Sequence, residues 1–353
     1  MIEDSFLVWV YCITFNQSQY IVDTLDGFCK QQTTFPFVCN IIDDASTDGE
    51  REVIMNYLQK FFVFEKENNI ICEENDDYIR YFAQHKANHN CYFDVYLLKY
   101  NHHSIQKPKM TYLREIDKIK YKAYCEGDDY WIDARKLQKE VEFLEENDDY
   151  AMVHTAYNRF NQVTGETLLM QNPEAYQTYN DNYKWGILTN EIMIGAPTVI
   201  CRTSLYHKVI QEFADDFRNR PMSDVQTWFH FARLSKIQYL QDVTAVYRKN
   251  EGSLTSMNSI RRFSFLKRSF EVHYELAKKY EAPEWVCKKI LSIFSGSLFN
   301  VGIDYSLYDE LITYLKEYHP KKKSVTLLLK TIKSIPLLDK NKVKRVVSHL
   351  MKQ

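Results

Sequence analysis

Three acidic side chains fall within four residues of each other in the middle of the chain, where Glu126, Asp128 and Asp129 follow a short apolar run that ends at Cys125. Carboxylates this close repel one another unless a positive charge lies between them, and hard divalent cations take oxygen ligands. Acids at the carboxyl end of a buried strand lie where open α/β sheets bind ligands. The segment therefore predicts a site for a metal ion and a nucleotide.

The elements before this segment alternate between strands and helices. Apolar runs at Phe6–Ile13 and Phe37–Ile42 indicate strands that are buried on both faces, and amphipathic helices are predicted at Ser18–Gln32 and Glu50–Phe62. Such alternation is typical of a parallel sheet with right-handed crossover connections. A further strand, Lys120–Cys125, then leads directly to the acids.

The remaining elements are less regular. Residues 63–92 indicate either a hairpin or a helical excursion, and the chain from about Ser259 onward shows apolar residues at helical spacing. Between these regions we predict a helix at Ser223–Leu234 and strands at Phe93–Tyr100, Ala151–Phe160, Thr198–Cys201 and Val243–Lys249.

Composition excludes several classes of protein. With 353 residues, 45% hydrophobic and 26% charged, the chain is folded and globular, and its net charge of −2 argues against wholesale nucleic-acid binding. The eight cysteines form no Cys-x-x-Cys pair, which speaks against a structural zinc. Because the N-terminus lacks a signal-peptide pattern and no stretch approaches the roughly 20 apolar residues of a membrane span, we expect a cytoplasmic protein.

Three motifs in this order resemble the family 2 glycosyltransferases with a GT-A fold. They are Ile13-Thr14-Phe15-Asn16 after the first strand, Ile42-Asp43-Asp44-Ala45-Ser46-Thr47-Asp48 after the second, and Glu126-Gly127-Asp128-Asp129. The resemblance covers about residues 5–250, and the stretch Cys125–Val141 is similar to the branch found in bacterial surface-polysaccharide clusters. It implies a GT-A domain with a mostly parallel central sheet over residues 1–250 and a helical C-terminal region over residues 251–353.

The resemblance also implies a binding site for a nucleotide-sugar donor. Thr14, Phe15 and Asn16 would line it, with Phe15 packed beside a uracil ring and Asp44 accepting a hydrogen bond from the ring N–H. The alternative is that Phe15 belongs to the core and that the acid pair caps the following helix. A pair of adjacent acids exceeds what a cap requires, which favours donor binding.

The resemblance implies that the metal is Mn²⁺ or Mg²⁺. Asp129 would ligate it and Asp128 would contact the metal or the ribose, and all-oxygen ligation suits both ions. Glu126 stands where many relatives have Asp. The alternative is a solvated acidic turn without a ligand.

A catalytic base is implied at Asp224, at the start of the predicted helix Ser223–Leu234, where a carboxylate would take the proton of the attacking hydroxyl. An N-terminal cap of that helix is the alternative, and Asp215 and Asp216 are weaker candidates for the base. One base and one leaving group invert the anomeric centre, so an inverting hexosyltransferase is implied.

Three further residues are candidates around the donor and the acceptor. Arg248 either reaches the diphosphate as a bidentate hydrogen-bond donor or lies on the surface. Gly195 and Trp131 are predicted to border the pocket for a glycan or lipid-linked glycan acceptor. For Gly195 the reason is that a small residue permits close approach.

The last 34 residues of the chain hold ten basic side chains and one acidic one, Asp339, alternating with apolar residues. A basic amphipathic segment of this kind can lie on an anionic membrane at the inner face, or pack on its own domain with its lysines in water. A sugar nucleotidyltransferase is a rival function, but Thr14-Phe15-Asn16-Gln17 is not its Gly-rich phosphate loop. A non-catalytic protein that binds nucleotide or glycan on a transferase fold is another.

Overall fold

The structure is a computed structural model that describes residues 6–63, 71–113, 116–171, 180–217, 222–250, 260–333 and 339–352. Its strands are β1 (Val8–Thr14), β2 (Phe37–Asp43), β3 (Ile71–Glu74), β4 (Tyr78–Gln84), β5 (Cys91–Leu98), β6 (Tyr121–Tyr124), β7 (Tyr130–Trp131), β8 (Tyr150–Asn161), β9 (Thr167–Met170), β10 (Ile200–Arg202) and β11 (Lys236–Lys249). Its helices are α1 (Ile21–Cys29), α2 (Glu50–Phe61), α3 (Lys136–Glu146), α4 (Tyr183–Leu188), α5 (Thr203–Glu212), α6 (Ala214–Phe217), α7 (Ser223–Leu234), α8 (Ile260–Lys279), α9 (Glu284–Asp304), α10 (Tyr308–Tyr318), α11 (Lys323–Lys333) and α12 (Lys340–Lys352).

These strands form one mixed sheet in the order β3-β4-β5-β2-β1-β6-β10-β8-β11-β7, with β9 paired to β8. The central strands β5, β2, β1 and β6 are parallel, whereas β4 pairs antiparallel with β5 and β10 pairs antiparallel with β6. The predicted α/β class with a mostly parallel central sheet is confirmed. Residues 63–92 contain the β3–β4 hairpin rather than a helical excursion, and residues 64–70 of that range lie outside the described residues.

Alternating side chains of the central strands pack on opposite faces of the sheet. Val8 and Val10 of β1 join an apolar cluster with Leu25 of α1, whereas Trp9 joins a second cluster that contains Ile116 from the segment after β5. Successive residues of a strand point to opposite faces, so both faces of β1 are covered and five of its seven residues are buried. This burial explains why the sequence there is a continuous apolar run.

Residue contacts divide the chain into two compact units. The first comprises Met1–Tyr183, Ile192–Glu212 and His230–Arg248, and the second comprises Lys184–Glu191, Phe213–Phe229 and Lys249–Gln353. Within the second unit, α8 packs on α9, α10 packs on α11, and α12 packs against α9. The helical character predicted from about Ser259 onward is confirmed for its described part.

Among the described residues, one helix, α9, is long and apolar enough to cross a membrane, with a mean hydropathy of 1.3 in its most apolar window. Half of that window is buried, and Ile290, Leu298 and Ile303 belong to the core of the second unit. A core helix of a helical unit has the same length and composition as a membrane span, so this feature is explained by packing within the unit.

Candidate active site

Three loops converge at the carboxyl edge of the sheet, where β1, β2 and β6 end. The backbone N–H of Asp44 donates to Thr14 O at 3.0 Å, so the loop after β2 is joined to the end of β1. On the other side of β1, Cys125 N donates to Tyr11 O at 3.2 Å and Gly127 N donates to Ile13 O at 3.0 Å. The predicted acidic segment and the two upstream motifs therefore lie side by side in the first unit.

Gly127 brings the acidic loop into very close contact with the end of β1. A Cβ atom at this position would lie 2.2 Å from Thr14 Oγ1 and 2.6 Å from Gln17 Oε1. These separations are far below van der Waals contact, so a residue without a side chain is required here. The glycine thus positions the acids that flank it against the loop after β1.

The loop after β1 presents an exposed aromatic ring at this edge. Phe15 is 44% exposed, so the alternative that it belongs to the core does not hold. Its neighbour Asn16 has a φ of 54°, and Asn16 Oδ1 accepts a hydrogen bond from Thr47 N at 2.8 Å. Thr14 is buried, and its hydroxyl contacts the carboxylate of Glu50 at the start of α2. Thr14 and Asn16 thus hold the loop in shape while Phe15 stays accessible.

Both acids after β2 are neutralised by basic side chains of the protein itself. Asp43 is paired with Arg51 of α2 at 2.8 Å, and Asp44 is paired with Lys109 at 3.0 Å. Asp44 also accepts hydrogen bonds from the backbone N–H groups of His102 at 2.7 Å and His103 at 3.1 Å. Asp44 therefore fixes the loop after β5, and Lys109 is a cation at this edge that our sequence reasoning did not assign to the site.

Arg248 is attached to the acidic loop and is not a surface residue. Its side chain is 7% exposed, its backbone N–H donates to Asp129 Oδ1 at 2.8 Å, and its Nε donates to Asp128 O at 2.9 Å. The guanidinium pairs with Asp23 of α1 at 2.6 Å and lies 5.0 Å from the centre of the Tyr130 ring. Arg248 reaches this place because β11 pairs with β7, directly after the acids.

The surroundings of Asp129 strongly disfavour a bare negative charge. Burial raises the pKa of the Asp129 carboxyl well above its usual range, and the nearby charges of Asp128 and Glu126 act in the same direction. The hydrogen bond from Arg248 N offsets this only in part. A buried carboxylate with like-charged neighbours is the electrostatic situation that a bound cation relieves.

Part of the chain resembles known proteins in sequence. Residues 9–71, which contain the first two motifs and exclude the acidic segment, match the model of Glycosyl transferase family 2. Uncharacterized protein Rv1520 of Mycobacterium tuberculosis and Uncharacterized protein Mb1547 of Mycobacterium bovis are each 32% identical to the chain over 140 residues. These matches cover 38% of the chain and 31% of each relative, so the chain spans about a third of the length of the curated relatives it matches.

Solved structures resemble the chain over almost its whole length. TarS 1-349 of S. aureus in complex with UDP-GlcNAc has a TM-score of 0.52 at 16% identity, and the match covers 98% of this chain and 91% of that one. The chain has the GT-A fold. PcManGT, a mannosyltransferase from Pyrobaculum calidifontis solved with GDP-Man and Mn2+, has a TM-score of 0.48 at 13% identity and is covered over 88% of its length, with 98% of this chain.

The acids at this sheet edge supply only part of the ligand set that a cation needs. No group of three or more His, Cys, Asp or Glu side chains in the described ranges is arranged to hold a metal ion by itself. Asp129 and Asp128 offer two carboxylates, and Mg²⁺ is usually held by one or two carboxylates together with substrate phosphates and water. Asp128 and Asp129 therefore fit a site in which the protein supplies some of the metal ligands and phosphate and water supply the rest.

The predicted base lies in the second unit of the GT-A chain. Asp224 is an exposed residue in the first turn of α7, and the protein atoms around its carboxyl raise the pKa of that group above its usual range by desolvation. The weaker candidate Asp216 is buried, and its carboxylate accepts from Lys279 Nζ at 2.7 Å and from the Tyr280 hydroxyl at 2.8 Å. Asp216 is therefore a structural acid, whereas Asp224 and the other weaker candidate, Asp215, are both exposed residues.

The two residues predicted to border an acceptor pocket have different surroundings. Trp131 is 4% exposed, its indole N–H donates to Pro197 O at 2.8 Å, and its ring centre lies 4.8 Å from that of Phe28. Trp131 thus stabilises the core, and we leave it out of the proposed site. Gly195 lies against the Tyr157 ring, where an added Cβ would come within 3.2 Å of ring carbons.

Proposed function

We propose that this protein is an inverting glycosyltransferase of family 2 that moves a sugar from a nucleotide-diphosphate donor to a glycan or lipid-linked glycan acceptor. The observation that carries the proposal is the convergence of Phe15, Asp44 and the Asp128-Asp129 pair at one edge of a GT-A sheet. The family match over residues 9–71 supports glycosyl transfer. A UDP-linked donor is the form we favour, and TarS, whose fold is similar, has been solved with UDP-GlcNAc.

The donor base is assigned to the loops after β1 and β2. The exposed ring of Phe15 offers a flat apolar surface on which a base can stack. An ionised carboxylate has about four lone-pair positions, and three of those on Asp44 are taken by Lys109, His102 N and His103 N. The remaining position is the one we assign to the uracil N–H.

The diphosphate is assigned to the acidic loop. Asp129 and Asp128 would hold Mn²⁺ or Mg²⁺, which stabilises the negative charge that develops on a leaving diphosphate. Arg248 keeps Asp129 oriented through its backbone N–H and places a positive charge beside the loop. The part of Arg248 in the proposal is therefore to position the acids.

The transfer step breaks one bond and forms one. The acceptor hydroxyl oxygen bonds to the anomeric carbon, the bond from that carbon to the diphosphate oxygen breaks, and the electron pair leaves with the nucleoside diphosphate. We assign the hydroxyl proton to the Asp224 carboxylate, which is exposed and able to accept it. A single displacement inverts the anomeric centre. Gly195 is retained as a border of the acceptor pocket.

The test measures UDP release from UDP-GlcNAc with Mn²⁺, with Mg²⁺ and with a chelator. We expect metal-dependent release, a loss of that dependence in Asp129→Asn, and a reduction of about 10²- to 10⁴-fold in Asp224→Asn, the usual contribution of a general base. Glu284→Gln is the matched control for Asp224, because Glu284 is also an exposed acid in the first turn of a helix.

Donor binding is tested separately through thermal stabilisation by UDP-sugars. Phe15→Ala should abolish the stabilisation, whereas Trp285→Ala, which removes an aromatic side chain that is 45% exposed, should leave it unchanged. Binding without any UDP release would favour the non-catalytic protein, and release of diphosphate from UTP and a sugar phosphate would favour the nucleotidyltransferase. Residues 1–250 remain our proposal for the catalytic domain, with the enzyme at the cytoplasmic face of the membrane.

A further inference from the structure

A groove of about 380 Å³ lies within the second unit, where α10 turns into α11. Its walls combine apolar and basic side chains from both helices and the turn between them: Leu315, Lys316, Pro320, Lys323, Leu327 and Lys330. No acidic residue lines it. The groove therefore combines apolar surface with positive charge.

Helical spacing places the groove residues of α11 in one row. Lys323, Leu327 and Lys330 are separated by four and three residues, so they lie on the same face one above the other. The opposite face of α11 holds Val325, Leu329 and Ile332, which are buried in the core of the unit. The exposed face of this helix is thus amphipathic in its own right, with a leucine between two lysines.

The exposure of Leu327 needs an explanation. Its side chain is 67% exposed, which is the largest value among the exposed large hydrophobic residues of the described chain. A single exposed leucine is ordinary, but this one lies at a groove and between two cations. An apolar group in this position gains free energy when an apolar part of a ligand covers it.

The lysines of the groove differ from other lysines of the second unit in having no acidic partner among the described residues. Lys333 of α11 is paired with Asp309 at 2.6 Å, and Lys344 of α12 is paired with Asp304 at 2.6 Å. No carboxylate of the described residues lies within ion-pair distance of Lys316, Lys323 or Lys330. Their charge is not neutralised within the part of the protein that the structure describes.

We propose that this groove binds the headgroup of an anionic phospholipid and holds the second unit on an anionic membrane surface. The phosphate would lie among Lys316, Lys323 and Lys330, and Leu327 would enter the boundary between headgroups and acyl chains. The mixture of cations with an exposed leucine favours a lipid over a nucleic acid, since no aromatic ring on which a base could stack lines the groove. The groove belongs to the second unit and the donor residues belong to the first, and the proposal does not rest on the transfer reaction.

The experiment measures binding of the full chain to vesicles by flotation. Vesicles of phosphatidylcholine alone are compared with vesicles that also contain phosphatidylglycerol, at low and high NaCl. We expect binding to the anionic vesicles only, and weaker binding at high salt because exposed charges are screened. Each cation near the surface contributes about fivefold in affinity, or about 1 kcal/mol, so Lys316→Gln/Lys323→Gln/Lys330→Gln should weaken binding about 100-fold.

A matched control removes the same charge elsewhere. Lys60, Lys208 and Lys278 are exposed lysines without a carboxylate partner in the described residues, and their triple change to Gln should leave vesicle binding within a few-fold of wild type. Leu327→Gln keeps every charge, and it should weaken binding about tenfold at high salt, where the apolar contact carries more of the affinity. Circular dichroism melting of each variant shows whether the unit is still folded.

Several outcomes would overturn the proposal. Equal binding to neutral and anionic vesicles, or equal losses in the groove variant and the control variant, would remove the specific role of the groove. Binding to an RNA oligonucleotide without binding to anionic vesicles would assign the charge to nucleic acid. Loss of binding to anionic vesicles when millimolar inorganic phosphate is added at constant ionic strength would assign the groove to a soluble phosphate compound. None of these outcomes depends on UDP release, so the two proposals fail independently.

Discussion

Replacing Gly127 by alanine is the sharpest test of how the acidic loop is positioned. The new Cβ would lie 2.2 Å from Thr14 Oγ1 and 2.5 Å from Thr14 Cβ, where ordinary contact begins near 3.4 Å. A separation of about 1 Å must therefore open between the acidic loop and β1. Overpacking of this size costs about 1–3 kcal/mol. Loss of the hydrogen bond from Gly127 N to Ile13 O adds about 1 kcal/mol.

We expect Gly127→Ala to lower the free energy of unfolding by about 2–4 kcal/mol in urea denaturation. Hydrogen exchange should show faster exchange in β1 and in the acidic loop, because the strain is local. The variant should also lose stabilisation by UDP-sugars, since Asp128 and Asp129 move away from Phe15. The last readout connects the packing of a single glycine to the donor site.

Gly296→Ala is the matched control, and it should change the free energy of unfolding in the opposite direction. Gly296 lies inside α9, and nothing lies within 4 Å of the Cβ that alanine would add. Alanine is favoured over glycine in a helix interior by about 1 kcal/mol, so this variant should be more stable than wild type. If Gly127→Ala unfolded at the wild-type urea concentration and still responded to donor, the close approach of the two loops would be refuted.

Two further predictions concern buried charges. The pKa of Asp129 is raised in the folded protein, so the stability associated with this group is present at low pH and is lost as pH rises through the folded pKa. In the presence of a chelator, Asp129→Asn should therefore melt at a higher temperature than wild type at neutral pH. This difference in melting temperature should shrink towards pH 4 and on addition of Mn²⁺. A difference that stays constant across pH would contradict the prediction. Lys136 and Glu140 form a fully buried ion pair at 2.6 Å, so Lys136→Met should cost about 3–5 kcal/mol in urea denaturation by leaving Glu140 unpaired. Lys136→Met/Glu140→Leu should recover most of that loss, and a double variant as unstable as the single one would show that the pair itself is needed.

The local elements could be predicted from the chain because their signals are local. The apolar runs at Phe6–Ile13 and Phe37–Ile42 correspond to β1 and β2, and Ser223–Leu234 is the helix α7 as predicted. Helix starts were less accurate, since the helix predicted to start at Ser18 begins at Ile21. The Ser18 N–H instead donates to Asp48 in the neighbouring loop at 2.9 Å, a contact that no local pattern contains.

The partners of the site residues could not be predicted in the same way. Arg248 could equally have been a surface residue on its sequence alone, and only the pairing of β11 with β7 places it beside Asp128 and Asp129. Lys109 was not assigned to the site from sequence, because its pairing with Asp44 joins residues 65 positions apart in the chain. Trp131 was assigned to an acceptor pocket, whereas its indole N–H donates to the buried Pro197 O.

The sequence by itself determined which residue types are available at the ends of the strands, because the apolar runs and the acids that terminate them are consecutive in the chain. Tertiary structure alone decided which charges neutralise one another, since Asp44 with Lys109 and Asp23 with Arg248 join residues far apart in sequence. Lys122 shows the same division: its strand was predictable, but its burial among the rings of Trp9 and Tyr206 was not. The physical reason is that hydrophobic periodicity is a property of neighbouring residues, whereas pairing of charges and close approach depend on how strands are ordered in the sheet.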